Sequence, residues 1–156
     1  MKKLLTLLLI AFASQASAQH YLWKTFGGYV AQGTIETGQA MVRDNAGNLY
    51  VASNINFPVL LQGNTIFPLT PGLSDVYIAK FNPQGQHIWI KKFGCFGNGD
   101  FPFDLAVDDS ANIYVFEYSS LPNIVFEDNI VNLSGAIALK LDSSGNFKWA
   151  RKIQNC

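Results

Sequence analysis

The sequence predicts an all-β fold of two tandem four-stranded antiparallel units behind a cleavable export leader. Three observations lead there. Beyond the leader, apolar and polar residues alternate in short stretches rich in Val, Ile, Tyr, Phe and Trp, bounded by Gly, Asn, Asp, Ser and Pro. No stretch of that region carries a helical period. The chain also copies itself: its 3 tryptophans, Trp23, Trp89 and Trp149, hold one position of a recurring segment.

The leader comes first. Met1-Lys2-Lys3 is a cationic start, Leu4 to Ala13 is apolar except for Thr6, and Ala16-Ser17-Ala18 offers the small residues that a signal peptidase reads. A membrane span needs about 20 apolar residues, and this run is too short. Residues 1–18 are therefore expected to be removed, leaving residues 19–156, without a transmembrane segment, in the periplasm, at the cell surface or outside the cell. The 156 residues suffice for one domain with a real core. Lys+Arg at 11 and Asp+Glu at 11 cancel, which excludes a chain that coats nucleic acid by charge. Hydrophobic residues at 49% exclude disorder.

Elements follow in order. A leading strand at 21–27 contains Trp23. The first copy, about 39–94, reads as strands near 39–44, 49–56, 76–82 and 87–94. The second, about 103–153, reads as strands near 103–109, 112–119, 136–142 and 147–153. The two copies align residue by residue: Met41 to Val51 matches Leu105 to Val115, and Val76 to Asn82 matches Ala136 to Asp142. Asp44-Asn45-Ala46-Gly47-Asn48, Asn82-Pro83-Gln84-Gly85-Gln86 and Asp142-Ser143-Ser144-Gly145-Asn146 are hairpin loops, opened by an Asx residue and closed by a glycine at positive φ. Ala111 stands where the first copy has Gly47, so that loop either adopts another turn or carries strain. A small extra hairpin in each copy is expected to turn at Gly63-Asn64 and at Asp128-Asn129.

Tandem four-stranded units, each ending on an aromatic strand, are the sequence form of β-propeller blades. The run Asp75-Val76-Tyr77-Ile78-Ala79-Lys80-Phe81-Asn82, with Gly85, Trp89 and Gly94, followed by Ala106-Val107-Asp108 and Asn112-Ile113-Tyr114-Val115, resembles the bacterial SBBP (seven-bladed β-propeller) repeats of secreted and surface proteins, common in Bacteroidetes. The resemblance covers residues 21–153. It implies strands and turns and brings no catalytic residues. A closed propeller needs at least four blades, so two blades and a leading strand predict an open, incomplete propeller, a fragment or short member, whose ends invite self-association.

Candidate sites are few. Asp100, Asp104, Asp108 and Asp109, with Glu36 and Asp44 in the first copy, offer oxygens of the kind Ca²⁺ takes. No loop has the full EF-hand alternation, so Asp44 and Asp108 are read instead as structural turn residues. Trp23, Trp89 and Trp149 are read as packing between blades rather than as ligand-stacking aromatics. His20 and His87 accompany no nucleophile signature. Gly27-Gly28 and Gly94, Gly97 and Gly99 are turn glycines, lacking the Lys-Ser/Thr of a phosphate loop. Cys95 and Cys156 are read as thiols rather than as a pair. The expectation is a non-enzymatic secreted binding or structural module for an unknown protein or glycan, with no cofactor. The alternative is a hydrolytic or carbohydrate-active propeller using paired carboxylates. Loop tips at 56–58 and 119–122 are the places for partner contacts.

Overall fold

The computed structural model describes residues 28–29, 38–69, 73–95 and 100–153. The leader, the leading strand at 21–27 with Trp23, His20, Glu36, Gly97, Gly99 and Cys156 lie outside the described residues. Among the described residues the strands are, in chain order, β1 (Gly28–Tyr29), β2 (Gly38–Arg43), β3 (Leu49–Ile55), β4 (Val59–Leu61), β5 (Asn64–Ile66), β6 (Asp75–Phe81), β7 (His87–Gly94), β8 (Asp100–Val107), β9 (Ile113–Ser119), β10 (Ile124–Phe126), β11 (Asn129–Val131), β12 (Gly135–Leu141) and β13 (Phe147–Lys152). The arrangement is all-β, repeated and open, with antiparallel pairing throughout.

The expectation of two separate four-stranded sheets needs correction. The second copy does form one, ordered β13-β12-β9-β8. The first copy's meander, β7-β6-β3-β2, is instead part of a six-stranded sheet, because the second copy's small hairpin continues it as β11-β10-β7. Gly94 pairs with Val125 and Phe93 with Phe126. The reason is the exposed rim of β7, whose N–H and C=O groups would otherwise lack strand partners. The first copy's hairpin makes the same move, β4 pairing with β1 in a three-stranded sheet ordered β1-β4-β5. Each small hairpin thus grips the strand that precedes its own copy.

Both small hairpins turn one residue earlier than expected, at Gln62-Gly63 and Glu127-Asp128. Gln62 (φ 47°), Gly63 (φ 82°) and Glu127 (φ 50°) take the left-handed conformation. At Gln62-Gly63 the two consecutive positive φ values give the two-residue turn whose twist suits antiparallel strands, whereas at Glu127-Asp128 only the first residue takes positive φ. The first strand of the second copy also begins earlier, at Asp100 rather than near 103. Pro102 is tolerated there because β8 is a sheet edge, and the pairing slips between Pro102 and Asp104.

Strand alternation gives each sheet two faces. The first copy's outer face places Tyr50, Ala52, Val76, Ile78 and Phe93 against Leu105, Ile113, Val115, Ile137, Leu139 and Leu141 of the second copy's inner face, and all are buried. Phe126 of the small hairpin bridges the two copies, its ring 5.6 Å from Phe93 and 5.8 Å from Phe147. A second cluster lies on the first copy's inner face, where Val59, Leu61 and Ile66 of the hairpin cover Val51, Ile55, Ala79 and Phe81.

The four five-residue turns close alike. The amide of residue 48, 86, 112 or 146 donates to the side-chain oxygen of residue 44, 82, 108 or 142 at 2.8–2.9 Å. Residues 47, 85, 111 and 145 donate back to the carbonyl that opens the turn. Gly47, Gly85 and Gly145 take positive φ, and Ala111 is forced into it at 59°. The turn geometry therefore prevails over the residue. Left-handed Ala costs about 1 kcal/mol relative to glycine, so Ala111→Gly is expected to stabilise the chain by about 1 kcal/mol and raise the melting midpoint by roughly 3 °C. Thermal unfolding followed by circular dichroism measures this, with Gly145→Ala as the destabilising counterpart.

Candidate functional site

One constellation occurs twice. In the first copy Asp44 Oδ2 accepts from Asn48 Nδ2 at 2.8 Å and from Tyr50 Oη at 3.0 Å. Lys80 Nζ stands 5.0 Å from the centre of the Tyr50 ring, and the Trp89 ring is 6.0 Å from it. In the second copy Asp108 accepts from Asn112 at 2.8 Å and Tyr114 at 3.1 Å, Lys140 is 4.9 Å over the Tyr114 ring and Trp149 is 6.2 Å away. The sequence singled out Asp44, Asp108, Trp89 and Trp149 but missed Asn48, Tyr50, Lys80 and their counterparts. Their recurrence at the same offsets was the available signal.

The electrostatics follow from these bonds. Burial alone would raise the Asp44 carboxyl, but hydrogen bonds from Asn48 and Tyr50 outweigh it and hold the group below its ordinary value. Bonds from Asn112 do the same for Asp108. Lys148, bonded at 2.8 Å, depresses Asp142 further. Burial, reinforced by Asp44, pushes the Tyr50 phenol up. These groups are fixed in one charge state near neutrality, which suits a structural duty.

The first constellation is covered by the second copy. Lys80 Nζ and Trp89 Nε1 both donate to the carbonyl of Ser143, at 3.0 and 3.3 Å. Gly145 lies against the same ring, for a Cβ there would come within 3.2 Å of Trp89 Cε2. Lys91 pairs with Glu127, and Asn45 Nδ2 donates to Asp109 Oδ1 at 3.1 Å. Lys140 and Trp149 repeat these positions on the outer face of the second sheet, where Phe101, Phe103 and Tyr118 are exposed.

A buried polar pocket closes the other end of the interface. Asp75, Asp100, Glu117 and Ser119 are each 0% exposed. Asp100 accepts from the amide of Cys95 at 2.6 Å and faces the Cys95 thiol at 3.3 Å. Ser74 Oγ donates to the Asp100 carbonyl, and Asn54 Nδ2 donates to Ser74 at 2.9 Å. Gly94 makes this crowding possible, because a side chain there would collide with Asp75 and lie 3.0 Å from Asp100 Oδ2. Both carboxyl oxygens of Glu117 lack a hydrogen-bond partner. Burial, with the Asp100 charge in support, raises Glu117 well above 4.5. Burial also pushes the Cys95 thiol up, so it is a weak nucleophile.

The four candidate aspartates do not converge. Asp100 is in the buried pocket, Asp104 caps the amide of Leu105, Asp108 holds its turn and Asp109 meets Asn45. Among the described residues no group of three or more His, Cys, Asp or Glu side chains is placed to hold a metal ion. His87 faces Gln62 and Asn64 at the end of its strand. Among the described residues no helix is long and apolar enough to cross a membrane.

Comparison with known proteins gives one partial likeness. Over 106 residues, 59% of this chain, the sequence is 31% identical to an uncharacterized WD repeat-containing protein of Acanthamoeba polyphaga mimivirus, and the match spans 7% of that protein's length. No family profile matches the chain. The likeness is to a repeat-containing protein, as the internal copies would lead one to expect.

Two expectations follow from this geometry. Trp89 is half-buried, so Trp89→Ala should cost about 2 kcal/mol, below the 3–5 kcal/mol of a fully buried aromatic. Urea unfolding measures it, and loss of indole packing should appear in near-ultraviolet circular dichroism. Glu117 is raised, so its stabilising state is the protonated one, fully present below 4.5 and eroded as pH rises toward the shifted value. Asp44, Asp108 and Asp142 are depressed, so their contribution is present above 3.8 and lost as pH falls. Stability should therefore peak in mild acid, and Glu117→Gln should remove the decline on the alkaline side in a pH series of unfolding midpoints.

Proposed function

We propose that the chain is an exported, non-enzymatic module of β-propeller type, with residues 1–18 as signal peptide and residues 19–156 as the repeat region, serving as a binding or structural element of a bacterial envelope or secreted protein. In this reading, 39–94 and 103–153 are two blades of the SBBP kind, preceded by a leading strand at 21–27. The observation that carries the reading is the fate of the repeated polar residues. Asp44, Asn48, Tyr50, Lys80 and Trp89 are occupied in closing a turn and receiving the next sheet, and the same set recurs at Asp108, Asn112, Tyr114, Lys140 and Trp149. A reaction centre would not be duplicated as turn scaffolding.

The likeness to a WD repeat-containing protein supports the propeller reading, since WD repeats build four-stranded blades. The hydrolytic alternative needs paired carboxylates that substrate can reach. Asp100 and Glu117 do approach one another, but both are fully buried between the copies. Ligand contact falls to the loop tips, where Phe57 and Leu121 are 42% and 46% exposed on a rigid frame.

Expression of the full gene with intact-mass analysis of the periplasmic and medium fractions tests export. The expected product begins at Gln19, and retention of residues 1–18 in those fractions overturns it. Turnover of a glycoside or ester panel by the same material, abolished by Glu117→Gln, would overturn the non-enzymatic part.

A further inference from the structure

We propose that the end of the molecule bearing the loop tips at 56–58 and 119–122 docks on an anionic lipid surface, with Phe57, Phe67 and Leu121 entering the interface and Lys92 and Lys152 meeting the headgroups. The inference rests on the assignment of ligand contact to the loop tips and deepens it by naming the surface that they meet.

The two ends of the sheets differ in chemistry. Antiparallel order places the turns 44–48, 82–86, 108–112 and 142–146 at one end, and none of them contains a large apolar residue. The tips stand at the opposite end. Phe57 and Leu121 are counterparts in the two copies, and each is followed by a proline. Both side chains are exposed. Val59 pairs with Ile66 at the mouth of the first small hairpin, so Phe67 leaves the hairpin on the side where Phe57 enters it, and Phe67 is 58% exposed. A single exposed apolar residue means little. An apolar tip held at the same place in both copies, with a further phenylalanine at the same end, marks an interaction surface.

The charges sort in the same way. Lys92 and Lys152 are also counterparts, at the tip end of β7 and β13. Lys92 Nζ donates to the carbonyl of Phe67 at 2.7 Å, which holds a cation at the base of an apolar tip. Lys152 is exposed. Among the described residues the carboxylates that reach solvent lie elsewhere. Asp108, Asp109 and Asp142 are in the turns of the opposite end, Asp104 is midway along β8, and Glu127 and Asp128 are at the turn of the second small hairpin. Asp75, Asp100 and Glu117 lie toward the tip end but are 0% exposed.

Lysines behind protruding apolar side chains suit the boundary between headgroup and hydrocarbon. There the apolar groups leave water and the basic groups reach anionic phosphate. A protein partner would need a separate, closely fitted hollow for each tip. A lipid surface takes tips on separate loops without such matching.

Flotation of the full chain, at limiting lipid, with vesicles of phosphatidylcholine alone and of phosphatidylcholine with phosphatidylglycerol tests the proposal. Binding to the anionic vesicles should exceed binding to the neutral ones and fall as salt rises. Phe57→Ser with Leu121→Ser should weaken it about tenfold, and Lys152→Ala about fivefold. All chains compared share one N-terminus, so a retained apolar leader adds equally to each and the outcome does not depend on export. A chain that binds neither vesicle, a tip variant that binds as the wild type does, or binding indifferent to the anionic lipid overturns the proposal. So does self-association in place of vesicle binding, seen by sedimentation velocity and lost in the tip variant, because the tips would then meet a second copy. Hydrogen exchange on the unsubstituted chain reads the contact without relying on any variant's folding. Residues 53–61 and 117–124 should gain protection on anionic vesicles, and protection of the turns 82–86 and 142–146 instead overturns the proposal. Such a failure is distinct from failure of the non-enzymatic reading, which only turnover overthrows.

Discussion

The burial of one sheet face beneath the next sheet is the contact on which the other features of this molecule depend. Tyr50, Ala52, Val76, Ile78 and Phe93 cannot be hidden by their own sheet, because alternate side chains of a strand point away from it. They are hidden by Ile113, Val115, Ile137, Leu139 and Leu141 of the following copy. At about 25 cal/mol per Å² of apolar surface, this face outweighs any single polar contact. The polar contacts act on its rim and fix the register: the Ser143 carbonyl on Lys80 and Trp89, Glu127 on Lys91, and Asp109 on Asn45.

The small hairpins answer a different constraint. A sheet that stacks by its faces still has open edges, and β7 would present one. The hairpin β10–β11 crosses from the second copy to close it, and Phe126 carries the apolar cluster across the seam. The two copies are therefore joined by backbone pairing as well as by side-chain packing. A hinge between them would have to break both.

The buried pocket of Asp75, Asp100, Glu117, Ser119 and Cys95 runs against the economy of an apolar core. A carboxyl group such as Glu117, without a hydrogen-bond partner, weakens the interface when ionised. The counterpart of Glu117 in the first copy is Ser53, a group that is far easier to bury. The second copy is thus chemically distinct from the first where the backbone is nearly the same, with a buried carboxyl group in place of a hydroxyl.

Alternation, turn residues and internal copies determined the strands of both repeats and the form of their five-residue loops, because these are local properties of the backbone. The aspartates at 44 and 108 were legible as turn residues for the same reason, and the strain at Ala111 was legible from the glycine it replaces. Tertiary structure alone decided that the first sheet has six strands, since the hairpin's choice of β7 depends on an edge brought near by folding. It also decided that Asn48, Tyr50 and Lys80 serve one cluster with Asp44 and Trp89, and that Glu117 is buried without a partner. Residues far apart in the chain meet there, and only packing says which of a strand's two faces meets a neighbour.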